Sequence, residues 1–349
     1  MKSKKTILSR RSFIGSTTTF AIGLSLGGPK VFGAPAYIPN LLKPNSKING
    51  VQLGLITYSF RAMEDQSAEA TLQYILDSGV NAIELMGSVA ESFIGKPENK
   101  MNGRRYYRLS RKEQNNELSK EEKKELEELK LQKESYDKEV ENWSAKRNVA
   151  DFTKLRKMYE DAGVSIYAFK PDYLLRKGNS DANINYAMTA GKLLGASHVT
   201  LELPDDPAHS LKLGQLAQKN GIKVAYHGHE QQHPSWWDTA LQQSNHNAIN
   251  LDLGHYTAAG NTDSIEFINN NHQNIMSMHV KDRQNPENGK KNLAFGMGDT
   301  PIAEVLQLMR DQKYTFPATI EYEYRTPEGS SIVEEIKKSV MYCKNALES

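Results

Sequence analysis

Eight short apolar runs, separated by longer amphipathic stretches, constrain this sequence more than any other feature. From Val51 onward, runs typical of buried strands alternate with stretches whose apolar spacing is typical of helices. The strand candidates are residues 51–60, 81–87, 164–170, 198–204, 223–230, 248–255, 275–282 and 318–324. Helices are predicted at 67–78, 148–162, 181–194 and 208–220, and each has a glycine at its C-terminal end. Eight such units predict an α/β protein that folds as a closed (β/α)8 barrel.

One interval interrupts the alternation after the second strand. Residues 98–147 are rich in Lys, Glu, Arg and Gln and have few apolar positions. Ser119, followed three residues later by Glu122, has the spacing of a capping box that starts a helix. We interpret the interval as a charged, solvent-exposed helix or helical hairpin inserted in a βα loop. Such loops surround the active-site face of a barrel, so a role as a lid or a dimer arm stays open.

The N-terminal segment has the layout of a cleavable export signal. A basic start precedes a modest apolar stretch over residues 13–26, and small residues follow near Ala36. Arg10 and Arg11 resemble the pair of a twin-arginine signal, which is read by a receptor that exports folded proteins. We therefore predict a periplasmic protein. The predicted organisation is a signal peptide over residues 1–36, a linker over 37–50 and the barrel over 51–349.

The composition is that of an ordinary soluble protein. Of the 349 residues, 38% are hydrophobic and 25% are charged, and the formal net charge is +2. No apolar run after the N-terminus reaches the roughly 18–20 residues of a membrane span. We expect neither nucleic acid nor, after signal removal, a membrane as a partner, whereas a homodimer stays open. Cys343 is the only cysteine, so a metal site within one chain must use nitrogen and oxygen ligands.

All nine histidines lie at or after position 198, and four of them belong to motifs at predicted strand ends. His227 and His229 lie in YHGHE, His255 ends LDLGH, and His279 lies in MHVKD. Side chains two residues apart on a strand point to the same face, and a barrel brings its strand ends to one mouth. The carboxylates at these strand ends are Glu202, Asp252 and Glu321.

Carboxylates with imidazoles and without thiolates suit a divalent metal, and the sequence does not choose among Mn, Mg, Zn and Fe. An isolated buried histidine or carboxylate is more often a hydrogen-bonded structural group than a ligand. Five adjacent strands that each end in such a group favour a site instead. The other histidines lie at strand starts, in helices or in loops and are interpreted as structural: His198, His209, His233, His246 and His272.

These motifs resemble the xylose isomerase-like TIM-barrel superfamily of sugar phosphate isomerases and epimerases, which also contains inosose dehydratase and endonuclease IV. The resemblance covers residues 51–349. It rests on HxH in the fifth strand, LDLGH in the sixth, MHVKDR in the seventh, the AFGMGD loop at 294–299 and IEYEY in the eighth. It implies a TIM barrel with a divalent metal on strands five to eight. Carried over by position, the metal ligands are His227, Asp252, His279 and Glu321.

The sequence departs from the family pattern at the fifth strand. His227 occupies the position that many epimerases fill with a metal-bound catalytic glutamate. This departure argues against a two-glutamate epimerase mechanism, and the HxH, DxGH and HxKD set is closer to the inosose dehydratase branch. Glu202, on the neighbouring strand, is a candidate for a fifth ligand in place of the missing carboxylate.

The resemblance implies a reaction that begins by removing a proton next to a carbonyl, with the metal stabilising the enediolate. His229 is the candidate base, because histidine ordinarily titrates near neutral pH. The candidates for donating the second proton are His255, Lys281 and Asp282. The candidates for substrate contacts are Tyr58, Lys170 and Glu323.

We therefore expect a metal-dependent isomerase or epimerase that acts on a keto-sugar. A lyase or hydratase (dehydratase) for 3-keto-glycosides or keto-polyols is the first alternative, because loss of a leaving group can follow the same proton removal. A non-catalytic periplasmic sugar-binding protein is the second. Export favours a free sugar over a sugar phosphate. A DNA repair endonuclease is disfavoured, because its additional metals would need histidines where this chain has Glu84, Met86 and Lys170.

Overall fold

The computed structural model describes residues 43–171 and 173–349, and the predicted signal peptide lies outside this part of the chain. Eight strands of the described chain form a closed parallel barrel in sequence order, with the first strand pairing with both the second and the last. The strands are β1 (Val51–Ile56), β2 (Ala82–Met86), β3 (Ser165–Lys170), β4 (His198–Glu202), β5 (Lys223–His227), β6 (Asn247–Asp252), β7 (Ile275–Val280) and β8 (Ala318–Ile320). The predicted (β/α)8 barrel is confirmed.

Helices surround the barrel and connect its strands. In chain order they are α1 (Ala68–Asp77), α2 (Gly87–Phe93), α3 (Gly103–Gln114), α4 (Lys120–Lys146), α5 (Phe152–Asp161), α6 (Asp181–Leu193), α7 (Pro207–Asn220), α8 (Asp238–Gln243), α9 (Leu253–Ala258), α10 (Ser264–Asn271), α11 (Ile302–Asp311) and α12 (Ile332–Glu348). The four predicted helices correspond to α1, α5, α6 and α7. Within the described ranges, no helix combines the length and the apolar character needed to cross a membrane.

The strands face two different environments, and β6 illustrates both. Ile249 and Leu251 are fully buried in the apolar core between the strands and the helices. Asn250 and Asp252 alternate with them and point into the barrel, where polar side chains from other strands surround them. The barrel interior is therefore polar near its C-terminal end, and the same alternation directs functional groups to the mouth.

The charged insertion is a helical hairpin formed by α3 and α4. Ser119 and Glu122 make the predicted capping box at the start of α4. A small apolar contact that includes Leu109 and Leu126 holds the two helices together. The Trp143 indole donates a hydrogen bond to the carbonyl oxygen of Ile94 at 3.1 Å, which fixes the base of the hairpin to the barrel. The predicted insertion is thus confirmed, while its role as a lid or dimer arm stays a prediction.

Residues 43–50 differ from the predicted linker, because this segment packs on the barrel. Lys47–Ile48 forms a short strand antiparallel to the beginning of β1. Ser46 is buried, and its hydroxyl donates a hydrogen bond to the carbonyl oxygen of Leu53 at 2.7 Å. The barrel domain therefore begins several residues earlier than the strand pattern indicates.

Candidate active site

The ends of β4 to β8 bring the predicted metal ligands to one mouth. The sheet register places Glu202 beside His227 and Asp252 beside His279. Glu321 directly follows β8 and lies 3.2 Å from His279, measured from Oε2 to Nδ1. His227, Asp252 and His279 have ligand atoms within 4.8 Å of one another and are all buried.

Hydrogen bonding fixes the ring of His227. Its Nδ1 lies 3.2 Å from Oδ1 of Asn250, an oxygen that can only accept, so Nδ1 donates. The Nε2 atom is left with a lone pair and lies 3.7 Å from Oδ2 of Asp252. Burial, followed by the nearby charges of Lys170 and His279, lowers the pKa of His227 well below its ordinary value. A neutral imidazole with a free nitrogen at the mouth is the form that binds a metal.

His279 is held in a similar way by a carboxylate below it. Its Nε2 donates to Oε2 of Glu84 at 2.8 Å, and its Nδ1 faces Asp252 and Glu321. Burial alone would lower the pKa of His279, but the charges of Glu84 and Glu321 outweigh burial and raise it to about 10. Burial likewise opposes ionisation of Glu84, yet the charge of His279 lowers the pKa of Glu84 to about 2. Glu84 is therefore a buried carboxylate paired with a protonated imidazole ring.

Asp252 directs one oxygen away from the site and one into it. Oδ1 accepts a hydrogen bond at 2.7 Å from the backbone N–H of His255, which caps α9. Oδ2 is buried, and among the described residues no donor makes a hydrogen bond to it. The Lys281 ammonium lies 3.0 Å from this oxygen, a charge contact without hydrogen-bond geometry. A buried carboxylate oxygen of this kind has spare capacity for a cation.

The donor set fits a divalent ion. The Oδ2 atom of Asp252 lies 3.7 Å from Nε2 of His227 and 3.8 Å from Nδ1 of His279. Ligand atoms about 2.0–2.2 Å from an ion are separated from one another by roughly 2.8–4.4 Å in tetrahedral or octahedral geometry. The atoms therefore lie at distances that one ion can span, and the Glu84–His279 pair is the outer support that metal-bound imidazoles usually have.

Lys281 lies among the carboxylates of the same cluster. Its Nζ is 2.8 Å from Oε2 of Glu321 and 2.8 Å from Oε2 of Glu323. Burial would lower the pKa of Lys281, but Asp252 and the two glutamates raise it instead. An ammonium that holds its proton this firmly is a poor proton donor. It balances the carboxylate charge and contacts Oδ2 of Asp252 and Oε2 of Glu321, two oxygens of the candidate ligand set.

His229 and His255 form a pair of imidazoles beside this centre. Their ring centroids lie 4.6 Å apart, and His229 is exposed at the mouth. The Arg283 guanidinium, which can only donate, bonds Nδ1 of His255, so Nε2 of His255 carries the proton. Burial and then the charge of Lys281 lower the pKa of His255 to about 2, so this ring is neutral. The site thus contains an exposed imidazole next to a neutral N–H donor.

Packing excludes a side chain at the position between the two histidines of the HxH motif. A Cβ atom on Gly228 would overlap the ring of Trp236. The absence of a side chain lets the loop after β5 turn tightly enough to bring His229 back over the mouth.

Glu202 occupies an adjoining position in the mouth. Its carboxylate forms a second possible ligand group with His227 and His229. However, Oε1 of Glu202 lies 3.0 Å from Nζ of Lys170. Burial would raise the pKa of Glu202, but this ammonium outweighs burial and lowers it. Oε1 of Glu202 therefore accepts a hydrogen bond from Lys170, whereas Oδ2 of Asp252 accepts none among the described residues, so the group around Asp252 is the better match to a metal.

A cavity of about 430 Å³ opens above the cluster. Its walls include all three predicted substrate contacts, Tyr58, Lys170 and Glu323. Two further residues, Tyr173 and Arg176, line the cavity but were not among the predicted site residues, because they lie in the loop after β3, beyond any strand motif. This inner cavity brings polar and aromatic groups together directly above the candidate metal ligands.

Asp282 does not contribute to the mouth, contrary to its predicted role as a proton donor. Its Oδ2 accepts hydrogen bonds from the backbone N–H groups of Gly296, Met297 and Gly298, and Oδ1 accepts one from Thr300. Burial raises the pKa of Asp282 while these N–H groups oppose the rise. The geometry instead makes Asp282 the anchor of the loop at 294–299, where Gly298 lies too close to the carboxylate to carry a side chain.

Glu84 and Asn250 are two more residues of the site that sequence reasoning missed. Asn250 donates to Ser277 Oγ at 3.0 Å and to Glu84 Oε2 at 3.3 Å, so one network supports both His227 and His279. A signal for them existed: each is a polar residue at an inward position of an otherwise apolar strand, where it needs a buried partner. Sequence alone did not identify that partner.

A closed eight-stranded barrel with imidazoles and carboxylates at its C-terminal mouth is a TIM-barrel protein with a polar candidate active site. More specifically, the chain belongs to the xylose isomerase-like TIM barrel family, whose model matches residues 145–344. No curated protein matches the sequence.

Several solved structures share the fold. A sugar phosphate isomerase/epimerase from Parabacteroides distasonis is 16% identical, with a TM-score of 0.52 over 84% of this chain and 93% of that chain. A probable 3-DHS dehydratase from Bacillus anthracis is 14% identical, with a TM-score of 0.54 over 83% and 97%. A xylose isomerase domain protein from Alicyclobacillus acidocaldarius is 13% identical, with a TM-score of 0.55 over 85% and 99%. At these identities the similarity extends to the fold alone.

Proposed function

We propose that this protein is a divalent-metal-dependent enzyme of the sugar isomerase and epimerase type, which removes a proton next to the carbonyl of a free keto-sugar. One observation carries the proposal. His227 Nε2, His279 Nδ1 and Asp252 Oδ2 face one another in a buried cluster, with each ring held from its other nitrogen. The exposed His229 lies beside them, its ring centroid 5.1 Å from that of His227.

His227, Asp252, His279 and Glu321 would hold the metal. The two imidazoles among the ligands suit Zn or Fe, and the two carboxylates also suit Mn and Mg. A bound divalent cation polarises a substrate carbonyl and stabilises the negative charge that develops on its oxygen. The residues of the chain then have to orient the sugar and move its protons.

His229 would take the proton, since it is the exposed imidazole at the mouth. The neutral His255 would offer its Nε2–H to an oxygen of the substrate, in the way that a neutral imidazole stabilises a developing alkoxide. Tyr58, Lys170 and Glu323 would contact the sugar from the cavity walls.

A lyase or dehydratase is the second candidate function, and the relation between His229 and His255 favours it over an epimerase. Their rings lie together on one side of the site, at a centroid distance of 4.6 Å. Epimerisation needs proton donation to the opposite face of the carbon. Isomerisation through one base needs no group on the opposite face, and a syn elimination of a neighbouring oxygen group can use both groups on the same side.

The experiment is deuterium exchange followed by NMR. The Mn-loaded mature protein is incubated in deuterated water with free keto-sugars and 3-keto-glycosides, with Asp252→Asn as the control. Deuterium next to the carbonyl without loss of a group supports an isomerase or epimerase. A released group or an enone supports the lyase. No exchange with any sugar, while the sugars still bind, supports a non-catalytic sugar-binding protein and overturns the proposal.

We also propose that the protein reaches the periplasm by the twin-arginine route. The support is the sequence alone, with Arg10 and Arg11 before a short apolar stretch. A periplasmic enzyme would meet free sugars and glycosides rather than cytoplasmic sugar phosphates, which agrees with the proposed substrate class.

A further inference from the structure

We infer that the substrate is a glycoside with two sugar units. The first lies in the inner cavity above the candidate metal ligands, and the second, which is uncharged, lies in an adjoining outer cavity. This inference rests on the proposed function, because it extends the same site. The outer cavity has a volume of about 650 Å³ and shares Arg176, Glu202 and His229 with the inner cavity. The two cavities are therefore adjoining compartments of one cleft, and the candidate base lies at their junction.

The inner cavity is large enough for the reacting sugar ring. Its volume of about 430 Å³ lies within the roughly 300–1,000 Å³ that small-ligand sites usually have. A free monosaccharide would leave the outer cavity to solvent. A substrate joined through a glycosidic oxygen would instead extend from the inner cavity past His229 into the outer one.

The outer wall has the mixed surface that carbohydrates require. Leu201, Leu203 and Pro204 provide an apolar strip, which suits the C–H face of a sugar ring. His209 is buried in the same wall, and its Nε2 donates to the carbonyl oxygen of Leu175 at 2.8 Å, which fixes the ring. Apolar contact with a few fixed polar groups is the usual composition of a small-ligand site.

The charges of the outer cavity do not favour a phosphate group. Two cationic side chains, Arg176 and Lys177, line it together with three carboxylates, and one of these, Glu202, is paired with Lys170 of the inner cavity, so the charges balance. Lys177 is already paired with Asp206 at 2.8 Å, and Asp205 lies next to that pair. A phosphate would find no excess of positive charge here, whereas hydroxyl groups can both donate to the carboxylates and accept from Arg176.

The test compares three ligands on the Mn-loaded protein by isothermal titration calorimetry. They are 3-keto-glucose, a 3-keto-disaccharide with the same ring at its non-reducing end, and 3-keto-glucose 6-phosphate. We expect the disaccharide to bind at least about tenfold more tightly than the monosaccharide, and the phosphate ester no more tightly. Equal affinities for the disaccharide and the monosaccharide, or no binding of either, would overturn the inference. So would tightest binding of the phosphate ester, which would make the outer cavity an anion site.

Two variants place the effect in the outer cavity. Leu203→Trp fills the cavity and should remove most of the gain for the disaccharide, while the affinity for the monosaccharide changes less than about twofold. If Leu203→Trp fails to fold by circular dichroism, Leu203→Ala shortens one of the three side chains of the apolar strip and should lower the same preference. An unchanged preference in the folded variant contradicts the subsite.

The binding test of the outer cavity can succeed or fail independently of the exchange test of the proposed reaction. Preferential disaccharide binding without deuterium exchange would retain the subsite and reject the proposed chemistry. Deuterium exchange into the monosaccharide, together with equal affinities for the monosaccharide and the disaccharide, would retain the chemistry and reject the subsite.

Discussion

The Glu84 carboxylate accepts a hydrogen bond from Nε2 of His279 at 2.8 Å in the closed interior of the barrel. Glu84 is fully buried on β2. His279 lies in β7, which β1 and β8 separate from β2 in the closed barrel. The contact leaves Nδ1 of His279 directed at Asp252 and Glu321. An acidic residue outside the predicted site therefore sets the orientation and charge of a candidate metal ligand.

Glu84→Gln should weaken metal binding without removing a ligand. Glutamine keeps the shape and an accepting oxygen but loses the charge that supports His279, and loss of such an outer carboxylate typically costs about 10–100-fold in affinity. The dissociation constant for Mn²⁺ or Zn²⁺ can be measured by calorimetry. Thr200→Val is the matched control, because it removes a different hydrogen bond to Glu84, at 2.5 Å, and keeps the His279 contact. Equal losses in both variants would mean that the network matters only for packing.

Metal binding should release a proton and become tighter as the pH rises. The pKa of His279 is raised to about 10 in the ion-free protein, so near neutral pH the ring holds a proton that a metal must displace. Because the proton competes below that pKa, the apparent affinity should rise by up to about tenfold per pH unit between pH 6 and 9. Calorimetry in buffers with different ionisation enthalpies counts the released protons. A pH-independent affinity without proton release would show that His279 is not a ligand.

Lys281→Met should tighten metal binding. The Lys281 ammonium contacts Oδ2 of Asp252 and Oε2 of Glu321, two oxygens of the candidate ligand set. Like charges a few ångström apart repel by several kcal/mol even at an effective dielectric constant of about 20, so an affinity gain of at least about tenfold is expected.

Lys170→Met provides the comparison for this effect. It removes the same charge from the same cavity, but Lys170 is paired with Glu202 instead. Its effect on metal affinity should be much smaller. An unchanged or weaker metal affinity in Lys281→Met would show that the ammonium and the metal do not share these oxygens.

His229→Ala should abolish proton exchange and retain the metal. Loss of a general base typically lowers the rate by about 10²–10⁴-fold, and His229 does not belong to the ligand group around Asp252. Deuterium exchange by NMR gives the rate, and calorimetry gives the metal affinity. His233→Ala, an exposed histidine of the same loop, should behave as the parent. A large loss of metal affinity in His229→Ala would instead assign this residue to the ligand group with Glu202 and His227.

Replacing Arg10 and Arg11 together by lysine should retain the protein in the cytoplasm. The receptor of the twin-arginine route recognises the arginine pair rather than positive charge as such. Cell fractionation with detection of the mature protein measures the location. Lys4→Arg with Lys5→Arg is the control and should be exported normally. Export of the Arg10 and Arg11 variant at the parental rate would contradict the predicted route.

The repeated strand and helix pattern was sufficient to predict the fold. Apolar strands such as 223–227 and helices that end at glycines such as Gly221 are local features, readable over ten to fifteen residues. Parity along the strands also predicted which side chains enter the barrel, so His227, Asp252 and His279 were assigned to one mouth before their distances were known. These inferences succeeded because strand ends meet in any closed parallel barrel.

The exceptions arose where a residue has alternative partners in space. Asp282 follows His279 by three residues in the motif, yet its carboxylate faces the backbone of the loop at 294–299 rather than the mouth. Residues 43–50 lack a recognisable strand pattern, yet a two-residue hairpin and the hydroxyl of Ser46 attach them to the barrel. Neither outcome follows from local spacing.

The sequence by itself determined the barrel, its insertion and the types of group at the mouth, because periodicity and strand parity are local properties of the chain. Only the tertiary structure decided which nitrogen of each histidine is free, where the charge of Lys281 lies and that Glu84 supports the site. Glu84 and His279 are 195 residues apart, so their contact depends on the closure of the sheet. The charge state of each buried group depends in turn on such contacts, because burial raises the cost of any unpaired charge.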